Sequence, residues 1–123
     1  MHRTFLRAKI HRATVTSADI DYEGSISIDR ELCIAAGMLE FEQVDIYDIT
    51  NGSRFTTYVI YGEPGQIQIN GAAAHLARPG DLVIIAAYIQ LQPDEIASHK
   101  ASIVLVDEKN QVSSSKQSPV RAP

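Results

Sequence analysis

The sequence predicts a mainly β fold, built as a small closed or nearly closed β barrel with short helices. Three observations predict it: apolar and polar residues alternate along several short segments, turn residues separate those segments, and there is no long amphipathic helix or internal repeat. The chain has 123 residues, 45% hydrophobic and 21% charged, which is typical of a single globular domain. The pattern alone leaves the strand topology open.

The first half of the chain begins with a half-buried strand. Residues alternate between its two faces: the apolar face has Leu6, Ala8 and Ile10, and the polar face has Arg7, Lys9 and His11. Polar and apolar residues alternate again over residues 25–28, which predicts another strand. Asp29 can then cap a short helix over residues 30–36, which Gly37 would end.

A hairpin is predicted in the middle of the chain. Residues 44–50 and 54–60 are strand-like, and they flank Asn51-Gly52, which favours a two-residue type I′ turn because both residues tolerate positive φ. A short strand follows at residues 66–69. Asn70 can then cap one or two helical turns in the alanine-rich segment that follows it.

The last third of the chain predicts two more strands and a tail. Residues 81–91 and 101–107 are strand-like, and Pro93-Asp94-Glu95 opens a brief helix between them. From Gln111 onward, Ser, Pro, Lys and Gln dominate and no apolar period survives. We therefore expect one barrel domain over residues 1–110 and a loosely ordered C-terminal tail over residues 111–123.

Charge and composition exclude several classes of function. The formal net charge is −4, so no basic field is present to attract nucleic acid. The charged amino-terminal segment is unlike a signal peptide and no apolar run is long enough to span a membrane, so we expect a cytoplasmic protein. The four histidines and the single Cys33 lack the spacing of a zinc site, and no metal is expected.

The most informative motif is Tyr22-Glu23-Gly24-Ser25, and a series of further segments accompanies it along the chain. In order, these segments are Arg3-Thr4, Ala8-Lys9-Ile10-His11-Arg12-Ala13, Val15-Thr16, Ala18-Asp19, Tyr22-Glu23-Gly24-Ser25, Asn51-Gly52-Ser53-Arg54-Phe55-Thr56-Thr57-Tyr58, Asn70-Gly71-Ala72-Ala73-Ala74-His75 and Gly80-Asp81-Leu82-Val83-Ile84-Ile85-Ala86, extending to about Pro93-Asp94-Glu95. Over about three quarters of the chain they resemble the aspartate 1-decarboxylase family, and their order and spacing make the resemblance specific. The turn at Glu63-Pro64-Gly65 is shorter than the family's pattern, and Ile26 replaces a small residue.

The resemblance implies a fold and an activity. The fold is a double-psi β barrel assembled as a homotetramer. The activity is that of a carboxy-lyase, which decarboxylates L-aspartate to β-alanine for the biosynthesis of pantothenate and coenzyme A. The implied cofactor is a covalent pyruvoyl group, without metal or pyridoxal phosphate, which binds the substrate amine as a Schiff base and accepts the electrons released with CO₂.

The pyruvoyl group would arise by self-cleavage of the chain between Gly24 and Ser25. The Ser25 hydroxyl would attack the Gly24 carbonyl, and elimination and hydrolysis would convert residue 25 into pyruvoyl, leaving fragments 1–24 and 25–123. We expect Gly24 to be required because the peptide must bend to let the Ser25 hydroxyl reach the Gly24 carbonyl. A residue without Cβ adopts such a conformation at least cost. The resemblance assigns Thr57 to assistance of this step. Whether maturation is spontaneous or needs an accessory protein stays open.

Further site residues follow from the resemblance. Tyr58 is expected to return a proton to the substrate α-carbon. Arg54 is expected to clamp one substrate carboxylate through its planar guanidinium. Lys9 is expected at the substrate site, where its ammonium would complement either the second substrate carboxylate or the new carboxylate at Gly24. Thr57 is also a substrate-binding candidate. The other candidates are the segment Asn70, Gly71, Ala72 and Ala73, whose small residues let backbone N–H groups approach a carboxylate, and, as a weaker candidate, Tyr22.

Strict alternation along the second hairpin strand places Arg54 and Tyr58 on one face and Thr57 on the other. A single site would therefore need either a bulge in this strand or a contribution from a neighbouring subunit.

Two other functions compete with this interpretation. A β barrel could instead be a non-enzymatic binding module, since such barrels host unrelated functions. A pyruvoyl decarboxylase could also act on another amino acid such as glutamate, because one methylene changes pocket discrimination by only about 1 to 3 kcal/mol. The paired cations Lys9 and Arg54 favour a dicarboxylic substrate, and aspartate and glutamate are both dicarboxylic.

Overall fold

Nine strands and three short helical segments make up the chain in the computed structural model, which describes residues 1–123. The helical segments are α1 (Arg30–Ala36), a 3₁₀ turn (Gly71–His75) and α2 (Pro93–Ile96). The strands are β1 (Arg3–Thr14), β2 (Ser17–Asp19), β3 (Ser25–Asp29), β4 (Gln43–Asp48), β5 (Arg54–Gly62), β6 (Ile67–Asn70), β7 (Leu82–Leu91), β8 (Lys100–Val106) and β9 (Val112–Pro119). The mainly β prediction is confirmed. None of the helices has the length and apolar character needed to span a membrane.

The strands form one sheet that curls back on itself. Their order is β2-β6-β3-β5-β4-β7-β1-β8-β9, with parallel pairs β2/β6, β3/β5 and β1/β8 among antiparallel ones. β2 begins only three residues after β1 ends, although it lies at the far end of this order. The Thr16 backbone N–H, between the two strands, donates to the Ile67 carbonyl at 2.8 Å. The first strand of the order is therefore brought back beside β1.

The core lies inside this curled sheet. It is a single cluster of 20 buried residues in which isoleucine dominates, including Ile10, Ile26, Ile46 and Ile85. The alternation predicted for the first strand is confirmed, since Ala8 and Ile10 are fully buried while Lys9 and His11 are only partly so. β3 is buried along its whole length. A site built on β3 therefore starts from the most enclosed part of the fold.

The first helix begins and ends as its sequence predicts. The Asp29 carboxylate accepts the Glu31 backbone N–H at 2.8 Å, which satisfies one of the free donors of the first turn. Gly37 ends the helix in the left-handed conformation with φ of 71°, and its N–H donates to the Ile34 carbonyl. The other Asp29 oxygen accepts the Gly65 N–H at 2.8 Å. One carboxylate thus joins the start of α1 to the turn before β6.

The predicted hairpin is present, but its turn is not of type I′. The loop between β4 and β5 has five residues, and only Gly52 has positive φ, at 81°. Asp48 explains the longer loop: its carboxylate accepts the backbone N–H groups of Thr50 and Asn51 at 2.9 and 3.0 Å. This local side-chain cap competes with a two-residue turn.

The loosely ordered tail expected over residues 111–123 is instead largely a strand. β9 (Val112–Pro119) pairs antiparallel with β8 along its length, from Lys100 opposite Pro119 to Val106 opposite Val112. Its side chains are nearly all exposed, which explains why no apolar alternation marks it in the sequence. Backbone hydrogen bonds to a neighbouring strand, rather than burial, hold this segment.

Candidate active site

Ser25 lies at the start of β3 and has no exposed surface. Its hydroxyl donates to the carbonyl of Glu23 at 3.0 Å and accepts a hydrogen bond from the Asn70 side-chain amide, also at 3.0 Å. A buried hydroxyl with both a donor and an acceptor partner has a fixed orientation. The nucleophile expected from the sequence is therefore held rigidly beside its own preceding peptide.

Asn70 departs from its expected role as a helix cap. It precedes the 3₁₀ turn, but its side chain makes no capping bond and is fully buried. Its Nδ2 group donates instead to the hydroxyls of Ser25 and Ser27, both at 3.0 Å. The antiparallel pairing of β3 with β6 sets Ser25 opposite Asn70 and explains the contact. The register of the sheet thus overrides the local capping preference.

The tight packing that excludes a side chain in this region lies at Gly71. The φ of Gly24 is not positive, and a Cβ added there would meet nothing within 4 Å. Gly71 has φ of +75°, and a Cβ there would lie 2.7 Å from the Gly24 Cα and 3.2 Å from the Tyr22 carbonyl oxygen. Before cleavage the backbone at Gly24 is therefore one that other residues can adopt, and the need for glycine at position 24 during the attack of Ser25 stays a prediction. Because Gly71 has no side chain, its backbone can pack directly against Gly24.

Tyr58 and Thr57 lie on β5, the strand next to β3. The parallel pairing starts with Ile26 opposite Val59, so one step back along each strand brings Ser25 level with Tyr58. The pairing of β5 with β4 has no register shift, and Thr57 shares the inner face with buried Val44. The strand contains no bulge, so Thr57 and Tyr58 point to opposite faces. The Tyr58 ring packs against Phe41 at 6.2 Å between centroids.

Arg54 lies at the start of β5, on the same outer face as Tyr58 but four residues away, about 13 Å along a strand. Its guanidinium carbon is 4.5 Å from the centroid of the Tyr47 ring, a cation–π contact. The Tyr47 and Tyr88 hydroxyls are hydrogen-bonded at 2.6 Å. That bond, followed by burial, raises the pKa of Tyr47 to about 12. No hydrogen bond or ion pair within the chain engages Arg54.

Lys9 lies on β1, three strands from β5 in the strand order, and pairs with Ala86 and Ile103 rather than with any residue of the serine region. Ala72 and Ala73 lie in the 3₁₀ turn directly after Gly71, with Ala72 exposed. Tyr22 is half exposed and reaches the region through its backbone carbonyl. One chain thus brings Ser25, Asn70, Gly71 and Gly24 together. Arg54 and Lys9 lie outside this group.

His11, on the same strand face as Lys9, has a buried Nδ1 atom without a hydrogen-bond partner. Burial, followed by the charges of Lys9 and Arg12, lowers its pKa below the usual value of 6.5. The unfolded chain therefore takes up a proton at a higher pH than the folded chain does.

We expect the free energy of unfolding to fall as the pH is lowered from 7 through the usual range of histidine, because protonation at His11 then favours the unfolded state. Urea denaturation at pH 7 and pH 5 measures the effect, and His11→Asn should show a smaller loss between the two pH values. An equal loss in both proteins would assign the pH dependence to other groups.

Sequence reasoning missed several residues around the site. Gln68, Ser17 and Ser27 form hydrogen bonds that lead to Asn70, and Tyr47 and Tyr88 support Arg54. Alternation could have placed Gln66, Gln68 and Asn70 on one face, since they recur at every second position. No sequence signal pairs Tyr47 with Tyr88, which come from different strands.

The fold and the site define a small β-sheet protein whose central feature is a buried, hydrogen-bonded serine directly after a glycine. The family model described as aspartate decarboxylase matches residues 1–113. The chain is 54% identical over 112 residues to the aspartate 1-decarboxylase of Hydrogenobaculum sp. (strain Y04AAS1), covering 91% of this chain and 90% of that protein. It is 50% identical over 119 residues to that of Ralstonia pickettii (strain 12J), covering 95% and 99%.

A third relative, the aspartate 1-decarboxylase of Bordetella avium (strain 197N), is 50% identical over 121 residues, covering 97% of this chain and 99% of that protein. The chain belongs to the aspartate decarboxylase family. The resemblance stated from the sequence is therefore confirmed.

Proposed function

We propose that this enzyme decarboxylates L-aspartate to β-alanine and CO₂, supplying β-alanine for pantothenate and coenzyme A biosynthesis in the cytoplasm, and that its cofactor is a pyruvoyl group made from Ser25. The observation that carries the proposal is the fully buried Ser25 directly after Gly24, held by Asn70, in a chain of this family. The match of the aspartate decarboxylase family model over residues 1–113 argues against a non-enzymatic binding module.

Self-cleavage begins when the Ser25 Oγ attacks the Gly24 carbonyl carbon and the peptide C–N bond breaks, leaving an ester and a free amine on residue 25. Loss of the Cα proton then breaks the Cβ–Oγ bond, and Gly24 departs as a carboxylate. Water hydrolyses the dehydroalanine left at residue 25, releasing ammonia and leaving pyruvoyl. The sum consumes one water and releases one ammonia. No external oxidant or reductant is required.

The surroundings of Ser25 support both halves of this sequence. The Asn70 Nδ2 donor points at Oγ, which leaves as part of a carboxylate in the elimination, and a hydrogen bond there stabilises the negative charge that grows on Oγ in that step. Gly71 packs directly on Gly24 and limits the movement of the peptide that must react. Thr57, on the inner face of the neighbouring strand, is the proposed donor to the oxyanion formed on Gly24.

The residues present fit a pyruvoyl group at position 25. The position is fully enclosed, Asn70 offers an amide donor, and the neighbouring Gly71 backbone leaves no side chain over the Gly24 end. Such a group supplies a ketone that holds the substrate amine and takes up the electrons released with CO₂. Tyr58 donates a proton to the substrate α-carbon. The N–H groups of Gly71, Ala72 and Ala73 contact a substrate carboxylate.

Arg54 and Lys9 supply the charge for a dicarboxylic substrate, and we propose that they reach it in an assembly of several chains. Arg54 faces outward on β5, held by Tyr47, while Ser25 is enclosed on β3. Phe41, next to Tyr58, leaves 72% of its surface exposed, as expected of a residue covered by another subunit. The proposed assembly is a homotetramer of double-psi β barrels, in which Arg54 of one chain serves the serine of its neighbour.

Intact-mass analysis of the purified protein tests the proposal. We expect two fragments, residues 1–24 and 25–123, with the larger carrying a carbonyl in place of its amino group, and conversion of aspartate to β-alanine in the same sample. Comparison of aspartate with glutamate as substrates assigns the specificity. Comparison of freshly made protein with and without cell extract determines whether an accessory protein assists cleavage. A chain that stays intact and inactive in both would contradict the proposed function.

Arg54→Lys is expected to retain cleavage but to lose most of kcat/KM for aspartate. A lysine keeps the charge but replaces the planar, two-pronged donor set and the stacking on Tyr47 with a single ammonium. Steady-state assays on fully matured protein measure the loss. Lys116→Arg, on the exposed strand β9, is a control for exchange between the two cations. An unchanged kcat/KM in Arg54→Lys would show that Arg54 is not the carboxylate clamp.

A further inference from the structure

Three side-chain amides, one just before β6 and two within it, form a continuous line of hydrogen bonds that ends at Ser25. The Gln66 Nε2 group donates to Gln68 Oε1 at 3.2 Å, and the Gln68 Nε2 group donates to Asn70 Oδ1 at 2.7 Å. Asn70 Nδ2 then donates to Ser25 Oγ at 3.0 Å. We call Gln66, Gln68 and Asn70 the amide ladder. The residues recur at every second position, so the pleat of the strand places them in line.

The direction of the amide ladder is fixed at its outer end. Gln66 Oε1 accepts the backbone N–H of Glu63 at 2.8 Å, and a backbone N–H can only donate. The Gln66 amide must therefore turn its oxygen toward Glu63 and its NH₂ group toward Gln68. The Ser17 hydroxyl, set opposite Gln68 by the pairing of β2 with β6, donates to the same Gln68 oxygen at 2.8 Å. Each amide in turn is oriented by the one before it.

The same direction continues through the nucleophile. Because Asn70 presents NH₂ to Ser25, the Ser25 Oγ accepts there and sends its own proton to the Glu23 carbonyl. If the ladder ran the other way, Asn70 would present its oxygen and draw the hydroxyl proton toward itself. The donor that stabilises the negative charge on Oγ when the Cβ–Oγ bond breaks would then be lost.

Gly62 makes room for the start of the amide ladder. A Cβ added at Gly62 would lie 2.5 Å from Gln66 Oε1 and 3.3 Å from Gln66 Cδ. The φ of Gly62 is not positive, so glycine is not needed there for backbone conformation. The short turn at residues 63–65 and the missing side chain at residue 62 thus both serve to seat the Gln66 amide against the Glu63 N–H.

We propose that Gln66 and Gln68 are positioning residues for self-cleavage: they set the orientation of the Asn70 amide, so that a donor, and not an acceptor, faces Ser25 Oγ. This proposal rests on the proposed function, because it assigns residues to the maturation step. It predicts that cleavage depends on two glutamines that touch neither Gly24 nor Ser25.

The experiment measures the rate of cleavage of freshly synthesised chain by intact mass, with thermal unfolding recorded for each variant. Gln68→Met removes the donor to Asn70 while keeping the length of the side chain, and we expect cleavage about tenfold slower. Gln68→Glu offers only acceptors at neutral pH and reverses Asn70, so we expect a larger loss. Gly62→Ala displaces the Gln66 amide and should also slow cleavage. Gln117→Met, an exposed amide on β9 bonded to Ser102, is the control with unchanged rate.

A double-mutant cycle separates orientation from stability. In an Asn70→Ala background there is no amide to orient, so adding Gln68→Met should slow cleavage no further, whereas a loss through general destabilisation would persist. The proposal is overturned if Gln68→Met cleaves as fast as Gln117→Met, or if Gln68→Met slows cleavage by the same factor in both backgrounds. A parent chain that never cleaves would instead contradict the proposed function itself, and this inference with it.

Discussion

Ser25→Ala is expected to give a folded, uncleaved chain without decarboxylase activity. Alanine lacks the only hydroxyl placed to attack the Gly24 carbonyl, and without cleavage no pyruvoyl group forms. The loss should be complete, since no other group replaces the nucleophile. The fold should persist because the substitution removes a single atom from a buried strand, and the Asn70 amide keeps its bond to Ser27.

Ser27→Ala is the matched control for Ser25→Ala. Its hydroxyl accepts from the same Asn70 amide on the same strand, but it does not follow Gly24. This variant should still be cleaved after Gly24. Intact mass reports cleavage in both variants, and circular dichroism with thermal unfolding reports the fold. Cleavage after Gly24 in Ser25→Ala would contradict the proposed chemistry.

Tyr58→Phe is expected to mature normally and yet to lose most of its turnover. The Tyr58 hydroxyl makes no hydrogen bond within the chain, and the ring keeps its packing against Phe41, so folding and cleavage should proceed. Loss of a positioned proton donor reduces the rate by about 10² to 10⁴. The reaction should then stall at the return of a proton to the substrate α-carbon.

Three measurements on one sample separate these steps for Tyr58→Phe. Intact mass confirms maturation, borohydride reduction in the presence of aspartate reports covalent capture of the substrate, and β-alanine release reports turnover. Tyr61→Phe, on the same strand beside Arg30, is the control for removing a tyrosine hydroxyl. Release of β-alanine at the parental rate by matured Tyr58→Phe would show that another group is the proton donor.

The parts of the fold that depend on local pattern were predictable from the sequence. The first strand alternates clearly, and α1 is bounded by Asp29 and Gly37, whose capping chemistry is local. β9 was missed because an exposed strand held by backbone pairing with β8 carries no apolar signal. The hairpin turn was wrong because the Asp48 carboxylate, a few residues upstream, stabilises a longer loop.

The site was predictable in its members but not in their arrangement. The family resemblance identified Ser25 and Asn70, whereas their contact arises from the register of β3 and β6, which no local pattern encodes. The packing that excludes a side chain lies at Gly71, 47 positions after Gly24 in the numbering, and no local pattern indicates that the two residues meet. Pairing between strands that are distant in the sequence determines both of these contacts, and the alternation of residues along one strand carries no information about that pairing.

Cutting the chain after Gly24 would not release the first fragment, because both of its strands pair with strands of the second fragment. β1 pairs with β7 on one side and with β8 on the other, and β2 pairs with β6. The mature enzyme would therefore consist of two interlocked fragments. Because they would no longer be covalently joined, chain connectivity would no longer favour their association. Once both fragments unfold, recovery would require two separate molecules to meet, so refolding would depend on the protein concentration. The working lifetime of a cleaved enzyme would then depend on how slowly it unfolds.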